Sequence, residues 1–229
     1  MSKIALVVFD IAGTTVSDAG NINDCFCSAF TEAGIEVERT EVDTVMGYRK
    51  IDAVRIIAEK YGKPEGAGSE KLIENIHTRF NELMVTFYKE TEMLAPLPYA
   101  EEIFKWLQEK QIKVALNTGF TRVITNALLA RLGWNNHPYI NKVVCSDEVA
   151  EGRPASYMIQ YLMRVLQIDD VKEVAKIGDT EVDIKEGRNA GCGWVIAVTT
   201  GAYTREQLEQ YQPDYIIDSL EQLKTILNS

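Results

Sequence analysis

The sequence predicts an α/β fold: a Rossmann-like parallel-sheet core with helices on both faces and an inserted all-helical unit. Three observations lead there. Short apolar, β-branched runs recur along the 229-residue chain. Helix-length amphipathic stretches separate them, as parallel strands require, because each parallel pair needs a crossover connection. The interval between residues 9 and 112 breaks that rhythm, with helical periodicity and no convincing strand. In chain order, a strand over 4–9 opens the fold, and helices near 21–33, 48–61 and 69–90 fill the interval, with a Gly/Pro-bearing turn at 62–68. Hinges are expected at 16–20 and 93–98, dividing the chain into a core domain of 1–15 and 98–229 and a helical cap of 16–97. Strands over 112–116, 143–145, 174–177, 194–198 and 215–217 then alternate with helices over 99–109, 122–132, 155–166 and 182–190. Two short helices, 205–211 and 220–227, close the chain.

Composition removes several classes of function. With 24 Lys and Arg against 34 Asp and Glu, the net charge is −10. That long-range field repels nucleic-acid backbones and anionic lipid, so nucleic acid is not an expected partner. The longest apolar run, 4–9, falls far short of the roughly 18–20 residues of a bilayer-spanning helix. No basic-then-apolar leader precedes it, and a cytoplasmic protein without membrane association is expected. The four cysteines read as reduced thiols, and two histidines, His77 and His137, are too few for a credible zinc site.

The chemistry sits at predicted strand ends, where open α/β sheets bind ligands. The first strand runs into Asp10-Ile11-Ala12-Gly13-Thr14-Thr15, a carboxylate followed by a glycine that lets backbone amides approach an anion. Gly178-Asp179-Thr180-Glu181-Val182-Asp183 repeats the arrangement with a second acid four residues on. Carboxylates from two strand ends can converge on a divalent cation, and hard oxygen ligands suit Mg²⁺. Asp179 is the expected direct ligand. Asp183 acts either through a water or as an acid favoured by the helix dipole. Asn117-Thr118-Gly119 offers a hydroxyl and amides to phosphate, and Gly152-Arg153-Pro154 places a cation after the third strand, with Pro154 suited to a helix's first turn.

In order and context these four segments resemble the motifs of the haloacid-dehalogenase-like hydrolases. That resemblance implies a Mg²⁺-dependent enzyme in which Asp10 forms an aspartyl-phosphate. Thr118 and Arg153 would hold the phosphoryl oxygens, and Asp10, the Ala12 carbonyl and Asp179 would bind the metal, with Asp183 nearby. Gly13, Thr14, Gly119 and Phe120 complete the expected substrate contacts from the core.

Many phosphatases of that superfamily carry a second Asp two residues after the nucleophile, which protonates the leaving group. Here that position is Ala12, and loss of general-acid catalysis typically costs about 10²–10⁴-fold. An amine from the insert can answer that loss. Lys50 lies in the first turn of a helix, on one stripe with Val54, Ile57 and Tyr61. The helix N-terminus, Arg49 and partial burial all disfavour added positive charge there, so its pKa falls toward neutrality and a Schiff base becomes possible.

The surrounding segments resemble the phosphonoacetaldehyde hydrolase branch in particular. They are Asp10-Ile11-Ala12-Gly13-Thr14-Thr15, Met46-Gly47-Tyr48-Arg49-Lys50-Ile51-Asp52, Thr118-Gly119-Phe120-Thr121-Arg122 and Gly152-Arg153-Pro154-Ala155. The resemblance implies that Lys50 forms an imine with a substrate aldehyde. Met46 is a candidate substrate contact, with core or hinge packing as the alternative. Two positions depart from that branch: its histidine three residues after the lysine is Ala53, and its tyrosine after the Thr-Gly pair is Phe120.

The leading expectation is therefore a phosphonatase-like hydrolase of a small phosphorylated or phosphonate metabolite, acting as monomer or homodimer. A small-metabolite phosphomonoesterase, of the phosphoglycolate phosphatase kind, and a non-catalytic phospho-metabolite binding module are the competing readings. Cys25 reads as a small buried thiol, and Phe80, Phe87 and Tyr88 as core of the helical insert.

Overall fold

The computed structural model describes residues 3–18, 20–61 and 67–228. Its centre is a six-stranded, all-parallel sheet in the order β3-β2-β1-β4-β5-β6. The strands are β1 (Leu6–Phe9), β2 (Lys113–Thr118), β3 (Lys142–Cys145), β4 (Val174–Gly178), β5 (Trp194–Val198) and β6 (Tyr215–Ile217). All six expected strands are present, though β1 is shorter than its apolar run.

Alternation along β1 explains the layering. Val7 and Phe9 point into one apolar layer, while Leu6 and Val8 point into the other, and all four are fully buried. The first layer includes Ile103, Phe104 and Leu107 of α5 (Ala100–Glu109), and Phe9 meets Phe104 edge-on at 5.4 Å between centroids. The second layer takes Met158, Ile159 and Leu162 of α7 (Tyr157–Leu166) and Ile184 of α8 (Glu181–Ala190).

Between β1 and α5 the described residues form four helices: α1 (Asn21–Glu32), α2 (Arg39–Asp43), α3 (Lys50–Lys60) and α4 (Ala67–Glu90). The short α2 was not expected; with Val42 its one buried residue, it leaves no apolar periodicity to read. Of the expected turn at 62–68, residues 62–66 lie outside the described residues, and 67 and 68 already belong to α4. Helix α4 runs against α6 (Arg122–Leu132), and Thr121 donates to Asn81 Oδ1 at 3.1 Å across that contact. The segments joining the insert to the sheet run side by side, with Val16 bridged to Pro96 and Leu97 N–H donating to Thr15 O at 2.9 Å.

Two expectations at helix starts need correction. Pro154 does not open a helix: it lies in a turn closed by Ala155 N–H on Gly152 O, and α7 begins three residues later. Helix α3 starts at Lys50 rather than 48, because Gly47 at φ +82 turns the chain first. The remaining helices, α9 (Arg205–Glu209) and α10 (Leu223–Asn228), complete the chain.

Candidate active site

The sheet reverses its strand order around β1, whose neighbours are β2 and β4. The carboxyl ends of those three strands therefore surround one crevice, the place where such sheets bind ligands. Asp10 follows β1, Thr118 ends β2 and Asp179 follows β4, and all three border a cavity of about 270 Å³. Ala12, Gly13, Met46, Lys50, Gly119 and Phe120 line the same cavity.

Asp10, Asp179 and Asp183 bring carboxylate oxygens within 4.8 Å of one another. Asp10 and Asp179 are buried, and burial pushes both carboxyls upward. At Asp10, Arg153 opposes that rise. At Asp179, the charges of Asp10 and Asp183 add to it, and the carboxyl stands well above the usual range. Counting the buried neighbours Asp10, Asp179, Asp183 and Glu186 against Lys50, Arg153 and Lys176 gives four acidic groups to three basic ones. A hard-oxygen donor set with excess negative charge fits a divalent cation, and it fits Mg²⁺ better than a softer metal because no sulfur or imidazole joins it.

Each carboxylate is aimed by a particular neighbour. The Thr14 hydroxyl donates to Asp179 Oδ1 at 2.8 Å, and the Ala202 amide donates to Oδ2 at 2.8 Å. Thr14 is fully buried and its hydroxyl orients Asp179. The Gly13 amide donates to Val16 O at 2.8 Å within the turn, while the residue lines the cavity. Its need for glycine comes from φ +83 and from Asp179, whose Oδ2 would lie 2.6 Å from an added Cβ.

Arg153 is wholly buried. One terminal nitrogen lies 2.6 Å from Asp10 Oδ1 and 2.9 Å from Asp183 Oδ1, and Nε lies 3.2 Å from Glu186. The other terminal nitrogen donates to Asn117 O and Oδ1, both at 2.7 Å. It thus braces Asp10 from beneath and is not among the cavity's lining residues. Asp183 combines both readings open in the sequence. It receives the Thr180 amide at 3.2 Å in a capping box at the start of α8, and it remains beside Asp10 and Asp179. Burial raises its carboxyl, but Arg153 and Lys176 outweigh burial and hold it low.

Lys176, Glu186 and Asn117 were missed as members of this site. Lys176 Nζ lies 2.8 Å from Asp183, 3.5 Å from Glu186 and 2.9 Å from Asn117 Oδ1, and Asn117 Nδ2 is 2.9 Å from both Glu186 oxygens. The available signal was a lysine in the middle of an apolar strand, Val174-Ala175-Lys176-Ile177, since a fully buried lysine needs partners.

The insert closes over this floor at α3. Lys50 N–H donates to Gly119 O at 3.2 Å, and Gly119 lies so near Tyr48 that an added Cβ would fall 2.3 Å from its carbonyl oxygen. Lys50 is only 3% exposed, with Nζ 5.5 Å from the centroid of the Phe120 ring. Burial is the main cause lowering its pKa to about 8; Arg153 assists, while Asp10, Asp18 and Asp179 oppose. Burial and Arg153, rather than Arg49, are thus the perturbing influences. Thr118 keeps its hydroxyl at the cavity wall, accepting the Phe120 amide at 3.1 Å. The cysteines are free thiols; burial pushes Cys25, with help from Asp18, up to about 11.

A parallel sheet presenting paired carboxylates at its reversal point, with a helical insert after the first strand, defines a class of hydrolase. The chain belongs to the haloacid dehalogenase-like hydrolases, whose family model matches residues 4–191. Among its relatives is a phosphonoacetaldehyde hydrolase of Bacillus cereus, 31% identical, with 96% of this chain and 84% of the relative covered. A bifunctional phosphonoacetaldehyde hydrolase/aminoethylphosphonate transaminase of Clostridioides difficile is also 31% identical over 90% of this chain, which spans only 34% of that protein. The crystal structure of a phosphonoacetaldehyde hydrolase-like protein from Oleispira antarctica superposes with a TM-score of 0.81 at 22% identity, covering 99% of this chain and 92% of that one.

Proposed function

We propose that the protein hydrolyses the carbon–phosphorus bond of a small phosphonate bearing an aldehyde, of the phosphonoacetaldehyde class. Asp10 serves as nucleophile and Lys50 as imine former. The observation that carries this reading is one buried amine, at about 8, in the same cavity as Asp10 and Asp179. At pH 7 an amine of that pKa is roughly one-tenth neutral, against less than a thousandth at the ordinary lysine value.

Lys50 Nζ adds to the aldehyde carbon and water departs, leaving a protonated imine. As an Asp10 oxygen bonds to phosphorus, the P–C electron pair moves into the imine, giving an enamine on Lys50 and a phosphoryl group on Asp10. Protonation of the enamine carbon and hydrolysis of both adducts return acetaldehyde, phosphate and free enzyme. Splitting one displacement into two steps lowers each barrier. Thr118 contacts the phosphoryl oxygens, and Arg153 keeps the nucleophile's orientation from below. Held by Asp10, the Ala12 carbonyl and Asp179, with Asp183 behind, Mg²⁺ would neutralise charge on the transferring group. Residues 16–97 act in this reading as a cap that opens for entry and closes to exclude water.

Borohydride reduction in the presence of phosphonoacetaldehyde should label Lys50, as read by peptide mass. Turnover of phosphate esters with no labelling would reject the imine. A phosphomonoesterase is the second reading, favoured by Ala53 and Phe120 where proton-handling side chains are expected. Ala12→Asp should raise activity in that case and do little for an imine enzyme.

A further inference from the structure

The proposed reaction needs a proton for the departing atom, and none of the positions expected to supply it can: residues 12, 53 and 120 are Ala, Ala and Phe. The cavity holds four aspartates among its described lining residues: Asp10, Asp18, Asp43 and Asp179. Asp10 is braced by Arg153, Asp179 is held by Thr14 and Ala202, and Asp43 is exposed, accepting from Asn23 Nδ2 at 2.5 Å. The partly enclosed carboxyl left is Asp18. It stands where the chain leaves the sheet for the insert, half-buried, with Oδ1 accepting the Gly20 amide at 3.1 Å.

Resting on the hydrolase reading above, we propose that Asp18 is the proton-transfer group of this cavity. Its carboxyl gives a proton to the atom leaving phosphorus, and the resulting carboxylate takes one from the water that attacks the aspartyl-phosphate. In P–C cleavage the electron pair passes into the imine and Asp18 protonates the enamine carbon; in an ester the pair stays on oxygen and Asp18 protonates that oxygen. Water then bonds to phosphorus as the phosphorus–Asp10 bond breaks, its proton passes to the Asp18 carboxylate, and Asp10 returns as a carboxylate; no oxidant or further reactant enters.

The surroundings suit the task. Burial raises the Asp18 carboxyl, opposed by the amides of Gly20, Asn21 and Ile22 at the start of α1 and by the Lys50 charge from α3. The other titratable groups that sense it are Cys25 of α1 and Tyr88 of α4, both driven upward and so neutral near pH 7. Burial favours the neutral carboxyl, the form a general acid needs. Asp18 also shares the cavity with, and feels the charge of, the group that changes most in the proposed turnover, since Lys50 alternates between ammonium, amine and imine.

A purely structural reading competes, in which Asp18 only satisfies amides at the start of α1. Asp18→Asn separates the two, because the amide oxygen still accepts those hydrogen bonds but carries no exchangeable acid proton. The assay takes the full-length protein with Mg²⁺ on phosphonoacetaldehyde and on an alkyl phosphate. The expected result is a kcat loss of roughly 10²–10⁴-fold with an unchanged melting temperature. In Asp18→Ala, added formate should restore kcat in proportion to the concentration of formic acid. An Asp18→Asn protein within about threefold of wild type, or an Asp18→Ala protein that formate leaves unmoved, overturns the proposal. Wild-type protein inert toward both substrates fails the hydrolase reading itself, a distinct outcome that removes the proposal with it.

Discussion

Replacing Lys50 by Met should make the protein more stable while removing its ability to form an imine. The magnitude follows from the burial of the amine. Its pKa falls from 10.5 to about 8 in the folded state. In the window between those values the unfolded chain holds the proton and the folded chain does not, so stability rises with pH there and is lowest below pH 8. At about 1.4 kcal/mol per pH unit, charging Lys50 costs the folded state roughly 3 kcal/mol at pH 7. The figure needs no reduction for solvent screening, because the side chain is almost fully enclosed. Met is close in length and leaves the Lys50 N–H to Gly119 O bond intact, since that bond is made by backbone. Urea unfolding in EDTA, at pH 7 and pH 9.5, should show the variant ahead by about 3 kcal/mol at the first and about 1 kcal/mol at the second. A variant less stable than wild type at pH 7, or an advantage that does not shrink with pH, would refute the reasoning that burial discharges this amine.

Two further outcomes test the floor of the site. Lys176→Met removes one of two cations from a fully buried cluster and leaves Asp183 and Glu186 facing Arg153 alone. A loss of about 3–5 kcal/mol in urea unfolding is expected, and a loss below about 1 kcal/mol would show the cluster to be redundant. Mg²⁺ should raise the melting temperature, by about 2.7 kcal/mol of added stability at a hundredfold excess over its dissociation constant. Asp179→Asn should abolish that shift, and an equal shift in the variant would place the cation elsewhere.

The sheet was readable because a parallel strand buried on both faces must be an unbroken apolar, β-branched run. Asp10 and Asp179 were readable for the related reason that polar residues ending such runs fall at the ligand-binding edge. Helix α2 was not, being five residues long with one buried side chain. Nor was the engagement of the Gly13 amide by Val16, which depends on how the turn closes rather than on which residues compose it. Lys176 passed as an ordinary strand residue because its partners Asp183, Glu186 and Asn117 come together only when β2, β4 and α8 are assembled. Asp18 fell within a stretch read as hinge, and its place in the cavity depends on the angle at which the chain leaves β1.

The site divides its labour along the same seam as the fold. Everything that handles phosphorus in the proposed reaction comes from the sheet edge: Asp10, Thr118, Asp179 and the brace of Arg153 and Lys176. The charged members are buried and mutually dependent, so a change at one leaves another charge without a partner. The cavity-lining groups proposed to face the organic half of a substrate, Asp18, Met46 and Lys50, come from the insert and from the segment leading into it. Beside them Gly119 approaches Tyr48 and Gly47 closely, and the Lys50 N–H donates to Gly119 O. Substitutions in the insert can therefore alter which bond to phosphorus is broken while the buried charge balance beneath stays intact. Ala53 is wholly buried on α3, so a larger proton-bearing side chain there would have to displace core, and a carboxyl at position 18 can serve from the cavity wall without doing so.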